Sequence, residues 1–182
     1  MSATTTSAPA HAAAPVLPTM LPLILPAGYE VPAAFREAAG KAWKTAAAKL
    51  DGLITKHPDR FPLYTEEGKW VVDGEAWTNW CEGFLGGQLW MLSRRSDEAD
   101  RARFRSAAEH YSELIEERKS DDTVHDLGFL FWSTYRRWFE ATGDTTKRDV
   151  VVEAGRTTAS RYRESGRYMP SFRQPDSLFI DI

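Results

Sequence analysis

The chain has 182 residues and a formal net charge of −3, from 23 basic and 26 acidic side chains. That length supports one domain with a core of its own, and a near-even charge without a basic stripe among aromatics excludes a nucleic-acid binder. The single cysteine, Cys81, excludes an internal disulfide, and histidines at 11, 57, 110 and 125 offer no metal-ligand spacing, so neither a metal nor another cofactor is expected.

Residues 1–30 are rich in Ala, Thr, Ser and Pro and read as a disordered or extended tail. Within it the stretch Val16–Ala27 is apolar. Pro18, Pro22 and Pro26 break any helix there, the run is too short to span a bilayer, and no basic residue precedes it as in a signal peptide. No membrane association is expected, and the expected location is cytoplasmic rather than secreted.

Residues 31–182 read as all-α. A first helix fits Pro32 to about His57, with Phe35, Ala39, Trp43, Ala46, Leu50 and Ile54 on one face and His57-Pro58 as a stop. Residues 59–74 form a loop in which 64–70 suit a short hairpin. A second helix covers about Thr78 to Ser93 and contains Gly83, Gly86 and Gly87. A third runs from Asp97 to Lys119, acidic in its first turn and basic in its last, as the helix dipole favours, with Phe104, Ala107, Ala108, Tyr111, Leu114 and Ile115 as its apolar stripe. A fourth spans Thr123 to about Ala141 and stops near Gly143, and a fifth runs from Thr145 or Thr146 to about Ser165, before Gly166. Asp176 or Ser177 opens a sixth, whose first apolar residues are Leu178, Phe179 and Ile180. The sequence ends one turn later, at Ile182, so it reads as the N-terminal portion of a larger helical domain.

Three places carry candidate chemistry. Thr123-Val124-His125-Asp126 matches a capping box, with Thr123 as cap and Asp126 in the place of the usual Glu. Asp126 is therefore a helix cap, a charged group serving a ligand, or both. His125 beside it is either a hydrogen-bonded structural residue or a substrate-binding one. The segment Trp77–Trp90 sets aromatics around three glycines, which let a backbone approach another helix or a ligand closely. Trp80 there is either packing or a stacking face for a sugar ring. Asp181 lies inside Leu178-Phe179-Ile180-Asp181-Ile182. An apolar setting raises a carboxyl's pKa and suits a general acid, while an exposed chain end does not.

With those residues in view, the chain from about Trp77 to Ile182 resembles the unsaturated glucuronyl hydrolases, glycoside hydrolase family 88. The resemblance rests on Trp80-x-x-Gly83-Phe84 with Gly87-Gln88-Leu89-Trp90 behind it, on His125-Asp126-Leu127-Gly128-Phe129, on Thr142-Gly143-Asp144, and on Ser177 to Asp181. It implies an α/α toroid of six helical hairpins, of which this chain would form about half. It implies removal of a Δ4,5-unsaturated uronic acid from lyase-generated oligosaccharides, by hydration of the vinyl ether. By position it makes Asp181 the proton donor, Asp126 the second carboxylate and Trp80 a wall of the sugar site. The partner is then an unsaturated uronic-acid oligosaccharide; the oligomeric state stays open. A related toroid acting on unsaturated rhamnogalacturonan, a non-catalytic sugar-binding helical module and a helical interaction protein are the competing readings.

Overall fold

In a computed structural model, residues 26, 28–72 and 76–172 are described. The tail over residues 1–25, the expected sixth helix and Asp181 lie outside them. The described chain is helical apart from one hairpin. Helix α1 spans Ala33–Lys56, close to the sequence expectation. Strands β1 (Tyr64–Glu66) and β2 (Lys69–Val71) pair antiparallel, with Glu67 and Gly68 at positive φ in the turn, so the expected hairpin forms. A 3₁₀ helix, Ala76–Cys81, runs into α2, Glu82–Ser93. Then come α3 (Glu98–Glu113), a second 3₁₀ helix (Glu116–Ser120), α4 (Leu127–Phe131), α5 (Tyr135–Thr142) and α6 (Thr145–Ala159).

Helix direction follows from which residues meet. Gly83 faces Phe129 and Leu130 while Gly87 faces Ser133, so α2 and the α4–α5 rod run parallel. Arg118 reaches Glu82 at one end of the α2–α3 pair and Trp90 reaches Ser112 further along, so α3 returns antiparallel to α2. Lys147 lies over Trp138 and Arg161 bonds the Asp122 carbonyl, so α6 returns antiparallel to α4–α5. Tyr111 bonds the His57 carbonyl and Arg103 pairs with Asp51, which sets α1 parallel to α3. Helices thus alternate between an inner set (α2, α4–α5) and an outer set (α1, α3, α6). No helix of the described residues is long and apolar enough to cross a membrane.

The core lies between the sets. Leu89, Trp90, Phe104, Ala108, Leu130, Phe131 and Tyr135 are fully buried. The Trp90 indole donates to Ser112 Oγ at 3.1 Å, which in turn donates to the Ala108 carbonyl, so the buried N–H has a partner. Trp138 packs on both Trp90 and Tyr135 with ring centroids 5.6 Å apart. Helix α1 joins this core from Trp43 onward, with Leu50 and Leu53 buried; Phe35 is exposed, against the stripe read from the sequence. Leu114 is likewise exposed although Ile115 beside it is buried, because the chain leaves α-helical geometry there and tightens into 3₁₀ turns.

Three helix boundaries differ from expectation, each for a local reason. Helix α3 stops at Glu113, which turns Arg118 toward Glu82 rather than along the helix. The fourth helix starts at Leu127, not Thr123, and is broken at residues 132–134. Thr134 at the break donates to the Leu130 carbonyl, a side-chain bond that bends helices. Helix α6 ends at Ala159, and Arg161 turns inward beyond it.

The buried Tyr135 hydroxyl donates to Glu116 at 2.7 Å. That bond, helped by Lys119, holds the Glu116 carboxyl below its ordinary value of 4.5 although burial works against it. A depressed carboxyl stabilises the fold above its unfolded pKa, and this contribution is lost as pH falls through the folded value. Glu116→Gln should therefore cost about 1 kcal/mol at neutral pH, after allowance for partial exposure. The cost should vanish in acid below the folded value. Urea denaturation of both proteins at several pH values checks this; an equal deficit at all pH values would refute it.

Candidate functional site

The parallel packing of α2 on α4 builds one end of the inner set. A Cβ on Gly83 would lie 2.3 Å from the Phe129 carbonyl oxygen and 2.6 Å from Leu130 Cα. Only glycine fits there. The glycines of this segment therefore serve a helix-to-helix seam, which settles the alternative between helix packing and ligand approach for Gly83 and Gly87 in favour of packing.

The seam places aromatic rings together at its mouth. Trp80, on the 3₁₀ helix that feeds α2, meets Phe84 edge-on at 5.8 Å and Phe129 at 5.6 Å, and Phe84 meets Phe129 at 5.8 Å. Trp80 is half-buried, whereas Phe84 and Phe129 are more than a third exposed. The cluster is thus an aromatic surface with an open side. Phe129 and Phe84 were within the quoted motifs, but nothing in their spacing marked them as partners of Trp80.

The capping-box reading of Asp126 does not hold. Asp126 is itself the residue preceding α4, and its side chain makes no capping hydrogen bond. Thr123 caps nothing either. Its backbone N–H and hydroxyl both donate to Asp121 Oδ1, closing a local turn that competes with helix and delays its start. The Asp126 carboxylate instead lies 3.3 Å from His125 Nε2, with both side chains about one-sixth exposed. Its charge is felt nearby: burial pushes the Cys81 thiol up, and Asp126 and Glu82 push it further. Cys81 adjoins Trp80, so the His–Asp pair and the aromatic cluster occupy the same end of the inner helices.

His125 is held from its other side. Its Nδ1 lies 2.7 Å from the Ser171 carbonyl oxygen, an acceptor only, so Nδ1 carries a proton. Phe172 stands edge-on to the imidazole at 5.3 Å. Arg161, which is 6% exposed, donates to the carbonyls of Asp122, Pro170 and Ser171 at 2.7 to 2.8 Å. One guanidinium thus ties the 121–126 loop to the 170–172 segment. Arg161 was not legible as a site residue, since a lone Arg after a helix carries no spacing signal.

A second guanidinium ties the loop to the aromatic cluster. Arg118 donates to the Asn79 carbonyl at 2.9 Å and to Glu82 at 2.8 Å, and approaches Asp121 at 3.7 Å. Burial lifts the Glu82 carboxyl above its ordinary value, more than Arg118 lowers it. Burial also lifts Asp121, but the Thr123 bonds and the Arg118 charge outweigh it and leave that carboxyl low.

An apolar cavity of about 680 Å³ opens beside His125, between α4 and α6, lined by Leu127, Phe131, Val151 and Met169 among others. His125 therefore borders both the polar pair and an apolar hollow.

Arg161→Ala should cost roughly 2 kcal/mol, since three charge-assisted bonds are lost but their carbonyls lie near solvent. Arg161→Lys should recover part of it, because an ammonium lacks the planar fork. Denaturation midpoints, with amide exchange over residues 121–126, give the check; an unchanged exchange rate there would show that the clasp does not organise the loop.

Alternating inner and outer helices, with aromatics and a His–Asp pair gathered at one end of the inner set, make this chain part of an α/α toroid. Comparison with known proteins shows that the chain is similar to unsaturated glucuronyl hydrolases. No protein-family model matches it. It is 24% identical over 137 residues to an unsaturated glucuronyl hydrolase of Formosa agariphila, covering 73% of this chain and 33% of that protein. It is 26% identical over 149 residues to an unsaturated chondroitin disaccharide hydrolase of Streptococcus pneumoniae, covering 79% and 36%. Its fold matches the crystal structure of the unsaturated glucuronyl hydrolase from Bacillus sp. GL1 with a TM-score of 0.64 at 21% identity, over 79% of this chain and 37% of that one. The chain spans about a third of the length of the curated relatives it matches.

Proposed function

We propose that this protein is a glycoside hydrolase that removes a Δ4,5-unsaturated uronic acid from oligosaccharides, with Asp126 and Asp181 as its carboxylates and Trp80 as a sugar-stacking wall. The observation that carries the reading is the pairing of Asp126 with His125, rather than with the helix backbone, beside an aromatic cluster with an open side.

The chemistry is a hydration. A carboxylic acid, assigned to Asp181, gives its proton to C4 of the C4=C5 bond, and positive charge develops at C5 and the ring oxygen. Water adds its oxygen at C5 and returns a proton to the carboxylate. The resulting hemiketal opens to a ketone at C5 and a hemiacetal at C1, which expels the rest of the sugar as an alcohol. Asp126 is assigned to orient the water and the ring; His125 lies beside that carboxylate, and its own orientation is fixed by the Ser171 carbonyl. Trp80, Phe84 and Phe129 offer faces for the planar unsaturated ring.

The test is the ultraviolet absorbance of an unsaturated uronyl disaccharide incubated with the folded chain, alongside titration of the disaccharide by calorimetry. Decay of the absorbance supports the proposal. Saturable binding without decay, lost in Trp80→Ala, would replace it with a sugar-binding module. The absence of both binding and decay would overturn it.

A further inference from the structure

At the far end of the inner helices from Asp126 is a cluster of cations that the proposed chemistry does not use. Arg94 is the residue capping the C-terminus of α2, Arg95 follows it, and Arg137 lies in the first turn of α5. With Met91 they line a cavity of about 350 Å³, to which no carboxylate of the described residues contributes.

Among the described residues no ion pair neutralises Arg95 or Arg137. Arg95 sits over the Trp43 ring, 4.5 Å from its centroid, a contact that orients the cation and leaves its charge. The Arg137 Nε–H is buried and has no hydrogen-bond partner among the described residues. Burial, together with the charges of Arg136 and Arg94, pulls Arg137 below the usual guanidinium value; Glu140 opposes this. Glu140 is itself engaged by Arg136, whose guanidinium is also stacked on Trp132. Favourable interaction with the end of the α2 dipole accounts for Arg94 and Arg95, but not for Arg137, which begins a different helix. Three convergent cations in a chain of net charge −3 are a local reversal of sign. An unpaired buried donor among them costs free energy unless an acceptor arrives.

We propose that Arg94, Arg95 and Arg137 form a binding site for a sulfate or phosphate group. Guanidinium forks match the oxygen spacing of such a group and form charge-assisted, bidentate bonds with it. The buried Arg137 Nε–H supplies the directed donor, and Met91 supplies an apolar wall. The cavity has room for an ester substituent as well as for the free ion.

The experiment is a titration of the whole chain, followed through the arginine Nε–H resonances in nitrogen-15 NMR. Sodium sulfate, sodium phosphate and phenyl phosphate are added at constant ionic strength, with sodium chloride as the reference. The expected result is a saturable shift of the Arg137 Nε–H that chloride does not reproduce. Followed through the Arg95 Nε–H resonance, which both variants keep, Arg137→Gln and, separately, the more exposed Arg94→Gln should each weaken binding about tenfold or more, as loss of one bidentate partner implies. Arg101→Gln, on α3 and outside the cavity, should not. Circular dichroism confirms that each variant is folded. Tighter binding of phenyl phosphate than of phosphate assigns an esterified group; equal or weaker binding assigns the free ion. A shift that grows linearly, is matched by chloride, or survives both Arg94→Gln and Arg137→Gln would overturn the site.

Discussion

Gly83→Val should prevent stable folding of the chain, or lower its stability by roughly 3 kcal/mol or more. Even the first carbon of the new side chain would fall 2.3 Å from the Phe129 carbonyl oxygen and 2.6 Å from Leu130 Cα. Both obstacles are backbone, so no rotamer change removes them, and one helix must move off the other. Overpacking of an ordinary core costs about 1–3 kcal/mol with side chains able to adjust; here the adjustment has to come from the helix axes. Glycine's poor helix propensity, worth about 1 kcal/mol against alanine, recovers little of this. Gly128→Ala is the control, since no atom lies within 4 Å of a Cβ built there. Thermal melts of the two variants should differ by many degrees. Similar melting of both would mean that the seam is looser than the distances indicate.

Asp126→Asn should reduce the proposed hydration by at least about 100-fold while leaving stability within about 0.5 kcal/mol of the parent. The asymmetry follows from the geometry. A capping Asp would lose both rate and stability on replacement, but the Asp126 side chain makes no capping bond, and an amide keeps its shape beside His125 Nε2. A readout independent of turnover is available in Cys81. The Asp126 charge is the second cause, after burial, that lifts this thiol. Removing the charge lowers the thiol pKa, increases the thiolate fraction at mildly alkaline pH and should speed alkylation of Cys81. A stability loss near 1 kcal/mol with unchanged alkylation would return Asp126 to the role of a cap.

Periodicity exposed the helices because their buried faces repeat over several turns. Residues such as Phe104, Ala108 and Tyr111 are spaced as one side of α3 requires, and all are buried. The hairpin expected over 64–70 forms, and its turn places Glu67 and Gly68 at positive φ. What failed were boundaries decided by single side chains. Asp121 captured Thr123, and Thr134 bonded back to Leu130; neither event leaves a repeating pattern. The candidate site was half legible. Trp80, His125 and Asp126 stood out by residue type and by resemblance, and they meet at one end of the fold. Arg118 and Arg161, which hold that end together, act over 36 and 39 residues of sequence, and only the tertiary structure reveals them.

The close approach of Gly83 to the Phe129 and Leu130 backbone also governs how the base of the aromatic cluster can move. At that point there is no side chain on Gly83 that could turn, so the seam shifts only when helices separate, a sub-global opening on slow timescales. The exposed rings of Phe84 and Phe129, by contrast, can reorient in picoseconds to nanoseconds. In the proposed function, a sugar settling on these rings would therefore meet a fixed base and adjustable faces. The conformational entropy lost on its capture is confined to a few aromatic torsions, and the helices beneath have little further freedom to give up.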